Sequence, residues 1–160
     1  MSLVGPYECT LDNKNRLMIP ADFRRELEQA KGSLRWYVTL HVEDRLRLTP
    51  EDEFNRQLEG LESTLLPKDE QMEFSRMLCG RSRLVTPDTQ GRIVLPDQFV
   101  ARAGLSREVM VVGVGRHAEV HDRQKWQGEL DKGDFNALFR KARAAGIMKG
   151  GSPGGQPGST

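Results

Sequence analysis

A chain of 160 residues with 37% hydrophobic and only 6% aromatic side chains is long enough to bury a sizeable core, one built mainly from Val, Leu and Ile. The net charge of +1, two cysteines far apart without metal-ligand spacing (Cys9, Cys79) and no run of roughly 18 apolar residues exclude a thiolate metal centre and a membrane-spanning helix. Nothing near Met1 reads as a charged segment followed by an apolar one, so a soluble cytoplasmic protein with reduced thiols is expected.

Taken in chain order, a strand predicted at about residues 6–11 leads into a polar turn, Asp12 to Asn15, and then an apolar strand, Arg16 to Ile19. Pro20 suits the first turn of a helix, where a missing N–H costs nothing, and Phe23 follows three positions later. Strands at 36–41 and 46–49, joined at Glu43-Asp44, complete a β-β-α-β-β unit. "TPEDEFNRQLEGL" then reads as a helix with Thr49 as N-cap, Pro50 at its first position and Glu51 to Glu53 at the positive end of its dipole. "PKDEQMEFSRMLCG" reads as a second helix stopped by Gly80.

The β-β-α-β-β pattern recurs: a strand at 81–86, a turn from Asp88 to Gly91, a strand from Arg92 to Leu95, a helix from Pro96 with Phe99, and strands at 109–114 and 117–121 around Gly115-Arg116. Helices over Asp122 to Leu130 and "DFNALFRKARAA" follow, and from Gly146 onward too few apolar groups remain to offset the entropy of ordering. The expected organisation is a first half at 6–50, a helical insertion at 51–79, a second half at 80–123, C-terminal helices at 124–145 and a flexible tail at 146–160.

The halves are copies. Asp12, Arg16, Leu17, Met18, Ile19, Pro20 and Phe23 fall on Asp88, Arg92, Ile93, Val94, Leu95, Pro96 and Phe99 at an offset of 76, and residues 37–54 fall on 109–126 at an offset of 72. Charge is segregated: residues 51–75 hold eight acidic side chains against two basic, whereas residues 76–92 hold four arginines against Asp88. That reads either as a solvated acidic helix face beside ordinary surface arginines or as a basic face for a polyanion.

The repeated D-x-x-x-R places Asp and Arg at the base of a hairpin turn. There, Asp12 and Asp88 can accept from turn N–H groups while staying within reach of Arg16 and Arg92. Gly91 supplies a positive φ, and Asn15 takes the same place in the first turn, as few other residues can. Asp12, Asp88, Gly91, Pro20, Pro96, Phe23 and Phe99 are thereby read as turn and core elements. The first tip, "NKNR", offers two amides, a lysine and an arginine, donors suited to phosphate oxygens and base edges; "TQGR" is less basic.

The doubled D-x-x-x-R-apolar-apolar-apolar-P pattern, with "LDNKNRLMIP", "GRSRLVTPDTQGRIVLP" and "AGLSREVMVVGVGRHAEV", resembles the MraZ family of bacterial transcriptional regulators over about residues 3–145. The family usually has Gly where this chain has Asn15. The resemblance implies an α+β, mainly β fold. Two AbrB-like swapped-hairpin halves would form one pseudo-symmetric double-psi-type barrel per chain, with flanking helices, in a ring of several subunits. It implies binding to double-stranded promoter DNA of the division and cell-wall gene cluster, through short direct repeats, and a nucleoid-associated place in the cell. Carried over residue by residue, it makes Arg16 and Lys14 the principal DNA contacts, Asn13 and Asn15 secondary ones, and Arg92 the group presented by the other half. Arg81 and Arg83, on the strand entering the second turn, become phosphate contacts. No cofactor, metal, membrane or small-molecule substrate is expected.

No phosphate loop, H-E-x-x-H or nucleophile-base order appears, His117 and His121 are expected to be ordinary surface histidines and His41 stands alone, so no enzyme is read. The second hypothesis is a ring-forming scaffold that binds protein partners through the acidic insertion, Glu51 to Glu73.

Overall fold

The computed structural model describes residues 1–147; most of the expected tail lies outside them. The chain divides into two compact units, Met1–Trp126 and Gln127–Thr160. The first is α+β and mainly antiparallel sheet. It contains β1 (Leu3–Thr10), β2 (Arg16–Met18), α1 (Ala21–Gln29), β3 (Trp36–Leu40), β4 (Leu46–Pro50), α2 (Glu51–Gly60), α3 (Lys68–Gly80), β5 (Ser82–Val85), β6 (Arg92–Val94), α4 (Asp97–Arg102), β7 (Glu108–Gly115) and β8 (Ala118–Asp122). Helix α5 (Arg123–Asp131) crosses the boundary. In the second unit, Asp134 caps α6 (Phe135–Ala144) by accepting from Ala137 N at 3.0 Å.

Six strands form one sheet in the order β1-β7-β8-β4-β3-β5, and β2 pairs only with β6. Exchanging each strand for its repeat partner (β1 for β5, β3 for β7, β4 for β8) reproduces that order read backwards. The arrangement is compatible with two interleaved halves, since β1 lies on β7 of the other half and β5 on β3. In register, Leu17 lies opposite Ile93, and Arg47 opposite Glu119. These two pairs map onto themselves under the exchange, so they mark the pseudo-twofold axis.

Three expectations are corrected. The sheet does not close into a barrel: β1 and β5 remain its edges, and no ladder joins them among the described residues. The strands β2 and β6 are only three residues long, with Pro20 and Pro96 two residues beyond their ends, and they pair with each other rather than with the large sheet. The offset of 72 fails for the strand before the hairpin. Pro50 and Asp122 match at 72, yet their partners are Trp36 and Val109, which match at 73. The missing residue is in the turn: His41 and Arg45 bracket three residues, whereas Val114 and His117 bracket two.

Finally, α2 starts one residue later than expected, with Pro50 at its N-cap and no Thr49 cap. Pro20, Pro50, Pro67 and Pro96 all occupy this position, with φ between −52° and −58° and ψ between 135° and 149°. Each proline leaves its strand or loop in an extended conformation that needs no N–H. Its carbonyl then accepts the first helical bonds, as Pro20 does from Phe23 at 3.0 Å.

Leu17, Ile19, Phe23, Trp36, Val38, Leu46, Leu48, Ile93, Leu95, Val109 and Val111 fill the core between sheet and ribbon. On the sheet's other face, α2 stacks Phe54 on Tyr37 at 3.9 Å and α5 sets Trp126 against His121 at 4.9 Å. Phe54 and Trp126 are repeat partners, so one aromatic from each half anchors a helix there.

Candidate nucleic-acid interface

The two D-x-x-x-R turns are near-identical objects. In the first, Asp12 Oδ1 accepts from the N–H groups of Lys14 and Arg16, both at 2.9 Å, and Oδ2 accepts from Arg16 Nε at 2.5 Å. In the second, Asp88 Oδ1 accepts from Gln90 N at 2.9 Å and Arg92 N at 3.0 Å, and Oδ2 from Arg92 Nε at 2.9 Å. Backbone bonds close each loop at its base, Asn15 N to Asp12 O at 3.0 Å and Gly91 N to Asp88 O at 2.9 Å. The geometry demands a left-handed residue, and Asn15 and Gly91 supply it with φ of 54° and 83°.

Charge follows from this bonding. The Arg16 N–H first, then its guanidinium and the Lys14 N–H, hold the Asp12 carboxyl down at about 2. Asp88 is lowered by the same set of donors, led by the Arg92 N–H. Both aspartates are therefore anions at neutral pH. Each arginine is tethered by Nε, and its terminal nitrogens make no hydrogen bond among the described residues.

The β2–β6 ribbon fixes where the turns point. Leu17 and Ile93 are fully buried, so alternation sends Arg16, Met18, Arg92 and Val94 to the opposite face. Arg16 and Arg92 are diagonal neighbours on that face, roughly 7–8 Å apart by ribbon geometry. Met18 and Val94 are 44% and 53% exposed, an uncovered apolar pair between the arginines. One turn leaves each end of the ribbon. Each is buttressed by the other half: Leu95 N donates to Asn15 O at 2.9 Å, and Ile19 N to Gly91 O at 3.1 Å.

The two tips differ in their support. Asn15 Nδ2 donates to Asp97 Oδ1 at 2.6 Å, so its amide is partly occupied, while Asn13 and Lys14 are exposed. Behind the second turn, Arg24 of α1 packs so closely that a Cβ on Gly91 would sit 2.6 Å from its Nη1. Arg24 was not singled out in the sequence because its repeat partner is Val100, so no repeated pattern marks it; only the fold brings a cation to the less basic turn.

Arg81 is not part of this surface. Its Nε donates to Leu40 O at 2.7 Å and its Nη2 to Asp44 at 2.8 Å, bracing the β3–β4 turn where Glu43 and Asp44 both have positive φ. Arg83 is exposed on the edge strand β5. His117 and His121 are not ordinary surface groups either: His117, like His41, is half-buried, and the His121 side chain is only 10% exposed, bonded to Glu119 at 3.1 Å. Among the described residues no cluster of His, Cys, Asp and Glu could hold a metal, and no helix is long and apolar enough to cross a membrane.

A family profile described as "MraZ protein, putative antitoxin-like" matches residues 3–76 and 78–146. The chain belongs to the MraZ family. Family members similar to it include proteins named "Transcriptional regulator MraZ" from Kocuria rhizophila, 36% identical over 81% of this chain and 87% of the relative, and from Mycoplasma mobile, 32% identical over 78% and 82%. One from Tropheryma whipplei is 32% identical over 81% and 87%. The MraZ match spans both D-x-x-x-R turns, the ribbon and the helical insertion.

Proposed function

We propose that this chain is a sequence-specific DNA-binding transcription regulator that meets its operator with the outward face of the β2–β6 ribbon and the turns at its two ends. The observation that carries the reading is the pair of congruent, aspartate-braced turns, each holding an arginine on one exposed face. A braced hairpin that presents guanidinium and amide donors in fixed positions suits a groove, because little entropy is lost on docking. Lys14 and Asn13 supply mobile tip contacts, Arg16 and Arg92 the fixed ones, Asn15 a backbone and partial amide contact, and Arg83 an outlying phosphate contact. The relatives' name, transcriptional regulator, supports the same reading.

A single ribbon neutralises few phosphates, too few for tight binding at cellular salt. Several copies in a ring, each meeting one of a set of short direct repeats upstream of the division and cell-wall genes, raise the effective concentration for the second and third contacts. A chain of net charge +1 then still binds strongly. Gel shift of the protein on the DNA upstream of its own gene tests this: a discrete complex is expected for the wild type and none for Arg16→Ala. Equal shifts for the two proteins, or for unrelated DNA, contradict it. The second reading, a protein-interaction scaffold, draws on α3, where Met72, Phe74 and Met77 are 61%, 45% and 58% exposed beside acidic residues. An assembled protein that shifts no DNA favours that alternative.

A further inference from the structure

The outer face of the six-stranded sheet carries a cation that the turns do not use. Arg47 of β4 lies on the pseudo-twofold axis opposite Glu119 of β8. That carboxylate is bonded to His121 at 3.1 Å and makes no ion pair with Arg47 among the described residues. Arg47 Nε is buried with no hydrogen-bond partner. A donor in that state forfeits its solvation and gains nothing in return, a cost that persists unless another molecule offers an acceptor. Burial lowers the Arg47 pKa, and after burial itself the Arg47 charge lowers His41 and His117, leaving both imidazoles neutral at pH 7. The Glu119 charge acts the other way on all three groups, so what Arg47 lacks is a hydrogen-bond acceptor rather than a counter-charge.

Beside it opens a cavity of about 220 Å³ between the sheet and the α2–α3 insertion. Arg47, His41 and Gln57 line it with polar groups, and Phe54, Phe74 and Leu78 close it with apolar ones. We propose that this cavity binds a small organic monoanion, a carboxylate on a short apolar or aromatic body, with the carboxylate on Arg47 and the body between Phe54 and Phe74. A carboxylate supplies the acceptor that Arg47 lacks; a dianion would bring a second negative charge into a half-buried site that Glu119 already serves. The apolar walls give the body a place that a bare inorganic anion cannot use.

Benzoate and its neutral analogue benzamide, titrated into the full chain, test the assignment by thermal unfolding and by amide chemical shifts. Benzoate is expected to raise Tm and to perturb Phe54, Gln57 and Phe74, with benzamide weaker at least about tenfold for want of a charge-assisted bond. Arg47→Met is expected to abolish that preference. Should that variant fail to fold, the wild-type shift map decides alone. Equal effects of benzoate and benzamide, shifts at Lys14 and Gln90 in place of the cavity, or no response to benzoate at all each overturn the proposal.

Discussion

Within each turn, one carboxylate organises three donors, and its titration reports directly on the turn. Because the folded Asp12 carboxyl sits near 2, below its ordinary 3.8, it contributes stability above pH 3.8 that is lost as pH falls through about 2. An NMR titration of the side-chain carboxyls should therefore find Asp12 midway near pH 2 and Asp88 also depressed, with Lys14 and Arg16 amide shifts following Asp12. A midpoint near 4 for both would mean that the bracing bonds are absent in solution. Lys14 is exposed and makes no hydrogen bond through its amine among the described residues, so Lys14→Ala should leave Tm unchanged while weakening DNA binding. Arg16→Ala should lower both, since its guanidinium also holds Asp12. Comparing the two variants by thermal melt and gel shift separates contact from scaffold.

Among the elements, the ribbon and the β1–β7 pair carry the arrangement. Leu17 is fully buried at the pseudo-twofold axis against Ile93, so Leu17→Ala should cost about 2–5 kcal/mol in denaturant unfolding. Gly113 lies opposite Gly5, and a Cβ there would come within 2.5 Å of the Leu3 carbonyl carbon. Backbone cannot move aside as a side chain can, so Gly113→Ala should destabilise by about 1–3 kcal/mol and loosen the edge strand. Unchanged stability would mean that β1 pairs differently. Most of these elements were legible: the repeat, the proline starts and the turn residues are local signals. Barrel closure was not, because which strands pair across halves is a long-range choice that no single segment encodes. Nor was the one-residue slip between β3 and β7, since both strands are apolar runs that fit either offset and only the turn lengths decide.

For the whole molecule, the duplication lets each half pair with the other, β1 on β7 and β5 on β3, and it sets two arginine-bearing turns on one face at a fixed spacing. The candidate site was half legible. Asp12 to Arg16 and its copy could be read from spacing, but the tethering of Arg16 and Arg92 by Nε, the arrival of Arg24 behind the second turn and the diversion of Arg81 to Asp44 depend on contacts between distant residues. The acidic insertion lies on the opposite side of the sheet from the ribbon, so its charge need not oppose DNA at the turns. Together these place the burden of the account on one surface. The most direct test is the salt dependence of binding to the DNA upstream of the protein's own gene, measured for the wild type and for Lys14→Ala by fluorescence anisotropy. Weaker binding by Lys14→Ala is expected, with a log–log slope shallower by about one for each first turn engaged, at unchanged Tm. An identical affinity and slope for the two proteins would contradict it.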